Sequence, residues 1–353
     1  MTIHMKKGEI RPTHIYSAHK CPYAFEEFAK DELDKSENME ITQKVEGTTQ
    51  WCSPCSFVTK PGGGCQLVLT GLNDYIEGPT HPFPVAKDII NTIPSGSTRF
   101  AVFDCLKGYW QIELDTKSRH YTTFLMEFGR YQYLWAQMGL CSSGDEFCHR
   151  TDEALGNING VKKLVDDILI FAPDDEILLK RIREVFTKCA KWGITLAKNK
   201  FQYGNSVKFA GFIVNENGSK PDPKKVASIK NFPPPQNITD LRSFMGLTNQ
   251  FSSYAPDLKQ AMVPLQSLLK KSQVYQWTPE HQEAFQKIQD LLTWENGPVL
   301  AQFDPKLPVV LITDASRLGL GYILTQENEA KEMKLITCGS RFLTYADANY
   351  AVI

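Results

Sequence analysis

A chain of 353 residues, 42% hydrophobic and 22% charged, has room for roughly two or three folded domains and is not a largely disordered protein. No apolar run approaches the ~20 residues that span a bilayer, and Met1 to Thr13 lacks the apolar stretch of a secretory signal. An intracellular protein, cytoplasmic or nuclear, neither secreted nor partnered with a membrane, is expected. The formal net charge of −1 argues against a uniformly basic nucleic-acid binder, yet lysine and arginine cluster over 180–200, over 220–230 and at Lys270 and Lys271. Such local charge permits a nucleic-acid partner without demanding one. The nine scattered cysteines do not form the pattern of a secreted disulfide framework. Cys52 and Cys55 make a CxxC, but no second CxxC or HxxxH follows, so the pair reads as two thiols in a strand-like stretch rather than a zinc site.

In chain order, residues 1–18 carry no periodic pattern and read as a lead-in. Phe25 to Lys35 predicts a short amphipathic helix with Phe25, Phe28 and Leu33 near one face. Trp51 to Thr70 alternates and breaks at Pro61-Gly62-Gly63-Gly64, a hairpin signature. Thr98 to Cys105 has the pattern of a buried strand with an aspartate near its end. Tyr121 to Met126 and Tyr131 to Trp135 flank a turn around Gly129, and Ser142 to Leu155 reads as a helix. Val161 to Phe171, VKKLVDDILIF, sets two adjacent aspartates in an apolar run, and a long amphipathic helix is expected over Glu176 to Trp192. A strand over Phe209 to Val214 completes an α+β pattern in which helices cover one face of an antiparallel sheet. Prolines 221, 223 and 233–235 mark a boundary, after which helices are expected over Asp240 to Tyr254 and Trp277 to Leu292. New strands begin near Leu307, in PVVLITDAS and GLGYILTQ.

The two aspartates are the strongest chemical signal. Adjacent buried carboxylates repel and are desolvated, and a divalent cation offsets both penalties. Successive strand residues point to opposite faces, so Asp166 and Asp167 can share a metal only at a tight turn. Asp104, ending another strand pattern, would complete a two-metal site able to clamp the attacking and leaving oxygens of a phosphoryl transfer. All-oxygen ligands suit magnesium. Taken alone, these features leave a surface turn and a metal site both open.

FAVFDCLKGYWQI, TTFLMEFGRYQYLWAQMGL, LVDDILIF and KFAGFIV, in this order and spacing, resemble the reverse transcriptase of gypsy-type LTR retrotransposons. TTQWCSPCSFVTKPGGG and HPFPVAKDII are similar to that family's fingers segment, and ITDASRLGLGYILTQ and SRFLTYADANYAVI to the opening of its ribonuclease H domain. The resemblance runs from about His19 to Ile353. It implies a right-hand polymerase, with fingers and palm over 19–214, a helical thumb and connection over 215–300, and the N-terminal part of a ribonuclease H-like α/β domain over 301–353. It further implies two magnesium or manganese ions on Asp104, Asp166 and Asp167, Tyr109 as a steric gate against the ribose 2′-OH, Met138 and Gly139 lining the nucleotide pocket, and Val165 at the primer end. The implied partners are an RNA or DNA template with its primer, deoxynucleoside triphosphates, and the rest of the Pol polyprotein.

Departures from the family pattern bear on activity. Gln66 stands near the family's phosphate-binding arginine, which a glutamine cannot replace as a charge. Lys60 remains as a phosphate contact, and Gln137 sits where proline is usual. Asp314 and Asp347 are the ribonuclease H carboxylates in the chain, with Asp347 where the family has glutamate. The expectation is a polymerase without ribonuclease H activity, either a polyprotein fragment or a decaying copy. The alternative is a decayed or domesticated polymerase fold that binds nucleic acid without catalysis.

Overall fold

The computed structural model describes residues 1–8, 12–18, 21, 23–59, 65–69, 71–78, 80–270, 274–292, 299–315, 319–328 and 330–343. Lys60, Asp347 and the turn at 61–64 lie outside the described residues. The elements begin with α1 (Glu26–Asn38), β1 (Thr42–Lys44), β2 (Cys55–Thr59), β3 (Cys65–Leu69), α2 (Ala86–Asn91), β4 (Arg99–Asp104) and α3 (Thr116–Arg119). They continue with β5 (Phe124–Met126), β6 (Gly129–Tyr133), α4 (Cys141–Leu155), β7 (Val161–Leu164), β8 (Asp167–Ala172), α5 (Asp175–Trp192) and β9 (Gln202–Gly204). Then come β10 (Ser206–Phe209), β11 (Phe212–Asn215), β12 (Gly218–Pro221), α6 (Pro223–Lys230), α7 (Ile238–Asn249), α8 (Leu258–Ser267) and α9 (Pro279–Leu292), and finally β13 (Val309–Ala315), β14 (Gly319–Glu327) and β15 (Met333–Phe342). The architecture is α+β. Among the described residues no helix is long and apolar enough to cross a membrane.

The chain divides into two compact units. The first comprises Met1–Pro84, Phe103–Ile168 and Lys180–Phe201. Its main apolar cluster gathers Leu33, Trp51, Leu69, Leu72, Phe124, Tyr131 and Leu140. The expected face of α1 is corrected: the helix buries Ala29, Leu33 and Ser36, while Phe28 is exposed. β1, β6 and β5 form an antiparallel sheet in that order, with Thr42 opposite Tyr133 and Phe124 opposite Tyr131. β2 pairs antiparallel with β3, Cys55 opposite Leu69, as the alternation predicts. Cys52 and Cys55 are buried free thiols, and burial pushes the Cys55 thiol up to about 11.

The second unit comprises Val85–Val102, Leu169–Leu179 and Gln202–Ile353. Here the expected single strand over 209–214 is two strands. Ala210 and Gly211 have φ of 52° and 86°, the two left-handed residues of a tight hairpin turn, so Phe209 pairs with Phe212 rather than continuing. Pro223 does not merely end a segment; it opens α6, whose first turn is capped by the Asp222 carboxylate accepting from Lys224 N at 3.0 Å. The helix expected over 240–254 stops at Asn249, and α9 begins at Pro279, leaving Trp277 outside it with Nε1 donating to Gln282 Oε1 at 3.0 Å. α2 and α8 were not evident from periodicity; α8 holds Pro264 inside it, which obscures the pattern.

The helices of this unit pack on Leu241, Phe244, Phe285 and Ile288, all buried. Phe244 meets Phe285 at 4.6 Å and Phe232 at 5.3 Å between ring centroids. Gln289 Nε2 joins them to the end of α6 by donating to the carbonyls of Ile229 and Lys230 at 2.9 and 3.0 Å. Removing a fully buried ring leaves a cavity that its neighbours refill only in part. Phe244→Ala is therefore expected to destabilise the folded chain by about 3–5 kcal/mol, measured as a lower urea midpoint; a change within ~0.5 kcal/mol would show that the ring is not a packing centre.

Candidate active site

Asp166 sits on a two-residue turn. β7 ends at Leu164 and β8 starts at Asp167, leaving Val165 and Asp166 as the loop. Val165 has φ of 54°, a conformation that hairpin turns normally assign to glycine at this first central position. A β-branched residue there is strained, on the order of 1–3 kcal/mol. The turn is held from the neighbouring strand, where Cys105 N, one residue past Asp104, donates to Asp166 O at 2.8 Å.

The segment after α5 then runs beside the end of β4. Leu106 N donates to Thr195 O at 2.9 Å, and Ala197 N to Asp104 O at 2.8 Å. This ladder delivers Lys200, whose Nζ lies 2.7 Å from Asp104 Oδ2. Asp104 is nearly buried, at 9% exposure. Asp104, Asp166 and Asp167 lie close enough for their charges to act on one another. Burial, then the charges of Asp166 and Asp104, push the Asp167 carboxyl up to about 6, with Lys200 opposing. Asp166 is exposed on its turn, yet partial desolvation of its carboxyl raises it as well, with Asp104 adding to the rise while a backbone hydrogen bond and Lys200 oppose it. The hydrogen bond to Asp104 raises Lys200 in turn.

Among the described residues no group of three or more His, Cys, Asp or Glu side chains is disposed, as it stands, to hold a metal ion. The donor chemistry nonetheless fits a hard cation: three carboxylates in one field, two of them raised by burial and mutual repulsion. The ammonium of Lys200 meets part of that need at Asp104.

Tyr109 lies on a helical turn, Gly108–Gln111, with its ring edge-on to Phe147 at 5.9 Å. Burial raises its hydroxyl pKa, and the charge of Asp166 adds to the rise, so the phenol stands within reach of the cluster's field. Gly139 has φ of 89°, and a Cβ there would come 2.5 Å from Val68 Cγ1; glycine is required on both counts. The Asn73 side chain fixes this turn, donating to Gly139 O at 2.7 Å and accepting from Cys141 N at 3.0 Å. Met138 is half-buried beside it. Gln137 is buried with no hydrogen-bond partner for its Oε1 among the described residues. Asp314 belongs to the second unit, on β13. It is exposed, accepts from Ala315 N at 2.9 Å, and borders an open concavity of about 710 Å³ with Thr313, Tyr322, Ser340 and Arg341.

Residues 66–214 match the family model of reverse transcriptase (RNA-dependent DNA polymerase), and residues 277–353 match that of the RNase H-like domain found in reverse transcriptase. The chain carries a reverse transcriptase domain followed by an RNase H-like domain. It is 28% identical over 304 residues to the transposon Tf2-3 and Tf2-7 polyproteins of Schizosaccharomyces pombe (strain 972), alignments that cover 85% of this chain. The chain spans 23% of the length of those polyproteins. Its fold is similar to that of the foamy viral protease-reverse transcriptase solved with double-stranded DNA, at a TM-score of 0.83 and 21% identity over 99% of this chain and 62% of that one. The same viral protein solved with an RNA/DNA hybrid superposes at 0.82 and 21% identity, over 99% of this chain and 46% of that one. The fold is that of a right-hand polymerase.

Asp104, Tyr109, Asp166 and Asp167 all fall within the reverse transcriptase domain, and Asp314 within the RNase H-like domain. Lys200 closes the basic cluster over 180–200, and its pairing with Asp104 is not legible in the sequence. The available signal was weak: a lysine just after a strand-length run that follows a helix, with a partner 96 positions away.

The raised Asp167 carboxyl has a consequence for stability. Its folded pKa of about 6 lies above the ordinary 3.8, so its contribution to stability is fully present below 3.8 and is lost as pH rises through about 6. In chelator, Asp167→Asn should therefore melt higher than the parent at pH 8 and lose that advantage as pH falls to about 4. Melting curves across that range check it; an advantage independent of pH would mean that the carboxyl titrates normally.

Proposed function

We propose that this chain is the polymerase segment of the Pol polyprotein of a gypsy-type LTR retrotransposon, an RNA-directed DNA polymerase that adds deoxynucleotides to a primer 3′-OH on an RNA or DNA template. The observation that carries this reading is the cluster of Asp104, Asp166 and Asp167 on adjoining strand ends, inside the region that matches reverse transcriptase. Relatives that are transposon polyproteins, and a similar fold solved with DNA and with an RNA/DNA hybrid, support the element type and the nucleic-acid partner.

In this reading the three aspartates hold two divalent cations, magnesium or manganese, which when bound supply charge stabilisation to the transferring phosphoryl group. The chain's own residues do the rest. Asp104 would share in holding those cations, and Lys200 supplies positive charge at its Oδ2. The Tyr109 ring closes the space where a ribose 2′-OH would sit. Gly139 and Met138 line the nucleotide pocket with a turn that Asn73 holds rigid, Lys60 meets the triphosphate, and Val165 touches the primer end. Residues 19–214 serve as fingers and palm, 215–300 as thumb and connection, and 301–353, with Asp314 and Asp347, as the ribonuclease H-like part.

Primer extension by the purified chain on an RNA template, with magnesium and with manganese, tests the reading. Activity is expected, and Asp166→Asn should lower it by about 100-fold or more, the scale of losing ~3 kcal/mol of charge stabilisation in the transition state. A folded chain that binds primer–template but extends nothing with either metal would leave the fold as a nucleic-acid binder without catalysis. Within an active enzyme, Tyr109→Ala should raise incorporation of ribonucleotides relative to deoxyribonucleotides. Unchanged sugar discrimination would return Tyr109 to the role of a packing aromatic against Phe147.

A further inference from the structure

Phe83 is a large apolar side chain, 46% exposed, on a backbone that has little freedom to move. Pro82 and Pro84 flank it, fixing their own φ and restricting the residues before them. The segment is also tied down by two carboxylates of α4. Asp145 Oδ1 accepts from Thr80 N at 3.0 Å and from His81 N at 2.5 Å. Asp152 Oδ2 lies 2.6 Å from His81 Nε2, and its other oxygen lies 3.1 Å from the Nζ of buried Lys163 on β7. Lys163 is itself anchored, donating to Cys148 O at 3.0 Å. The clamp thus connects the Phe83 segment to the hairpin that carries Asp166 and Asp167.

A Cβ placed at Gly144 would stand 3.6 Å from Phe83 Cζ and 3.5 Å from Tyr109 Oη, so both rings reach the same stretch of α4. Tyr109 in turn feels the charge of Asp166. A partly exposed aromatic ring, on a segment anchored at Thr80 and His81, therefore stands over the same turn of α4 as Tyr109. Hydrophobic burial explains neither its exposure nor its several anchors.

We propose that Phe83 is a stacking platform for the first unpaired base of the template strand. The inference rests on the polymerase reading above. Bases within a duplex are covered on both faces by their neighbours, whereas the first unpaired template base offers a free π-face next to where the incoming nucleotide is matched. Aromatic stacking on such a base requires a flat ring held in place and is indifferent to base identity. Phe83 supplies the ring, and Asp145, Asp152 and the two prolines supply the positioning.

The test uses a template with 2-aminopurine at the first unpaired position, annealed to a dideoxy-terminated primer and bound by the full chain. The parent should quench the 2-aminopurine at saturation, and Phe83→Tyr should keep the quench. Phe83→Leu, which preserves apolar bulk without a π-face, should lose most of it and bind the primer–template about 5- to 100-fold more weakly by anisotropy. Its melting temperature should stay with the parent's, because the ring is exposed. The same probe placed within the duplex should not distinguish the variants. Equal quenching at saturation by the parent and Phe83→Leu would overturn the platform while leaving the polymerase reading intact. No anisotropy change with primer–template for the parent would overturn both.

Discussion

The desolvation of Asp166 and Asp167, with the charge of Asp104 held in the same field, is the constraint from which the arrangement of these strand ends follows. Left to itself, a chain would place three carboxylates apart and in water, and the raised titration of Asp166 and Asp167 records what it takes to do otherwise. Covalent and backbone restraints enforce the cluster. A two-residue turn offers no slack, the Cys105 amide holds it to the end of β4, and Val165 accepts a left-handed backbone that its side chain disfavours. Buried Ile168 on β8 and the buried end of β4 anchor the strand ends. Lys200 then relieves the most buried of the three charges, which is why a residue so far along the chain belongs to the site.

α4 is the second organising element, and it works through side chains at helical spacing. Phe147 packs against Tyr109, and a Cβ at Gly108 would come 2.7 Å from its ring, so the turn after β4 approaches the helix as closely as a glycine allows. Asp145 and Asp152 reach outward to the segment before Pro84, and Asp152 reaches Lys163 on β7 as well. One helix therefore fixes the ring proposed to gate the sugar, the ring proposed to receive the template base, and the strand leading into the aspartate turn. A shift of α4 would move all three together. That coupling is what a polymerase needs if base, sugar and phosphate are to be checked in a single geometry.

What the sequence disclosed follows from what is energetically costly. Two aspartates inside VKKLVDDILIF, and another ending TRFAVFD, are not accounted for by propensity, so they mark candidate positions while leaving a surface turn and a metal site both open. Long amphipathic patterns such as Glu176 to Trp192 were equally legible: of the inward face expected at Ile177, Leu178, Ile182, Val185 and Cys189, the last four are buried and Ile177 is half-buried. Features set by tertiary geometry were not. Ala210 gives no local sign that it will adopt a left-handed φ, so one apparent strand proved to be two. Pro223 reads as a breaker or as an opening N1 residue, and Asp222 beside it was the overlooked cap that decides between them. His81 and Asp152 meet across 71 positions, a distance over which a single sequence carries no pairing signal.

The two domains differ in how far their carboxylates are preorganised. In the reverse transcriptase domain each aspartate is fixed by a strand end or a tight turn and shares a field with its neighbours. In the RNase H-like domain Asp314 lies on a strand whose every residue is exposed, including Val309, Val310, Leu311 and Ile312, and burial within that sheet is confined to positions on β14 and β15 such as Gln326 and Cys338. An apolar strand open to water contributes little stability and holds its side chains loosely. Electrostatic catalysis depends on charges that are already in place when the substrate arrives. On that criterion the described residues bring more fixed charge together around Asp104, Asp166 and Asp167 than around the exposed carboxylate on β13.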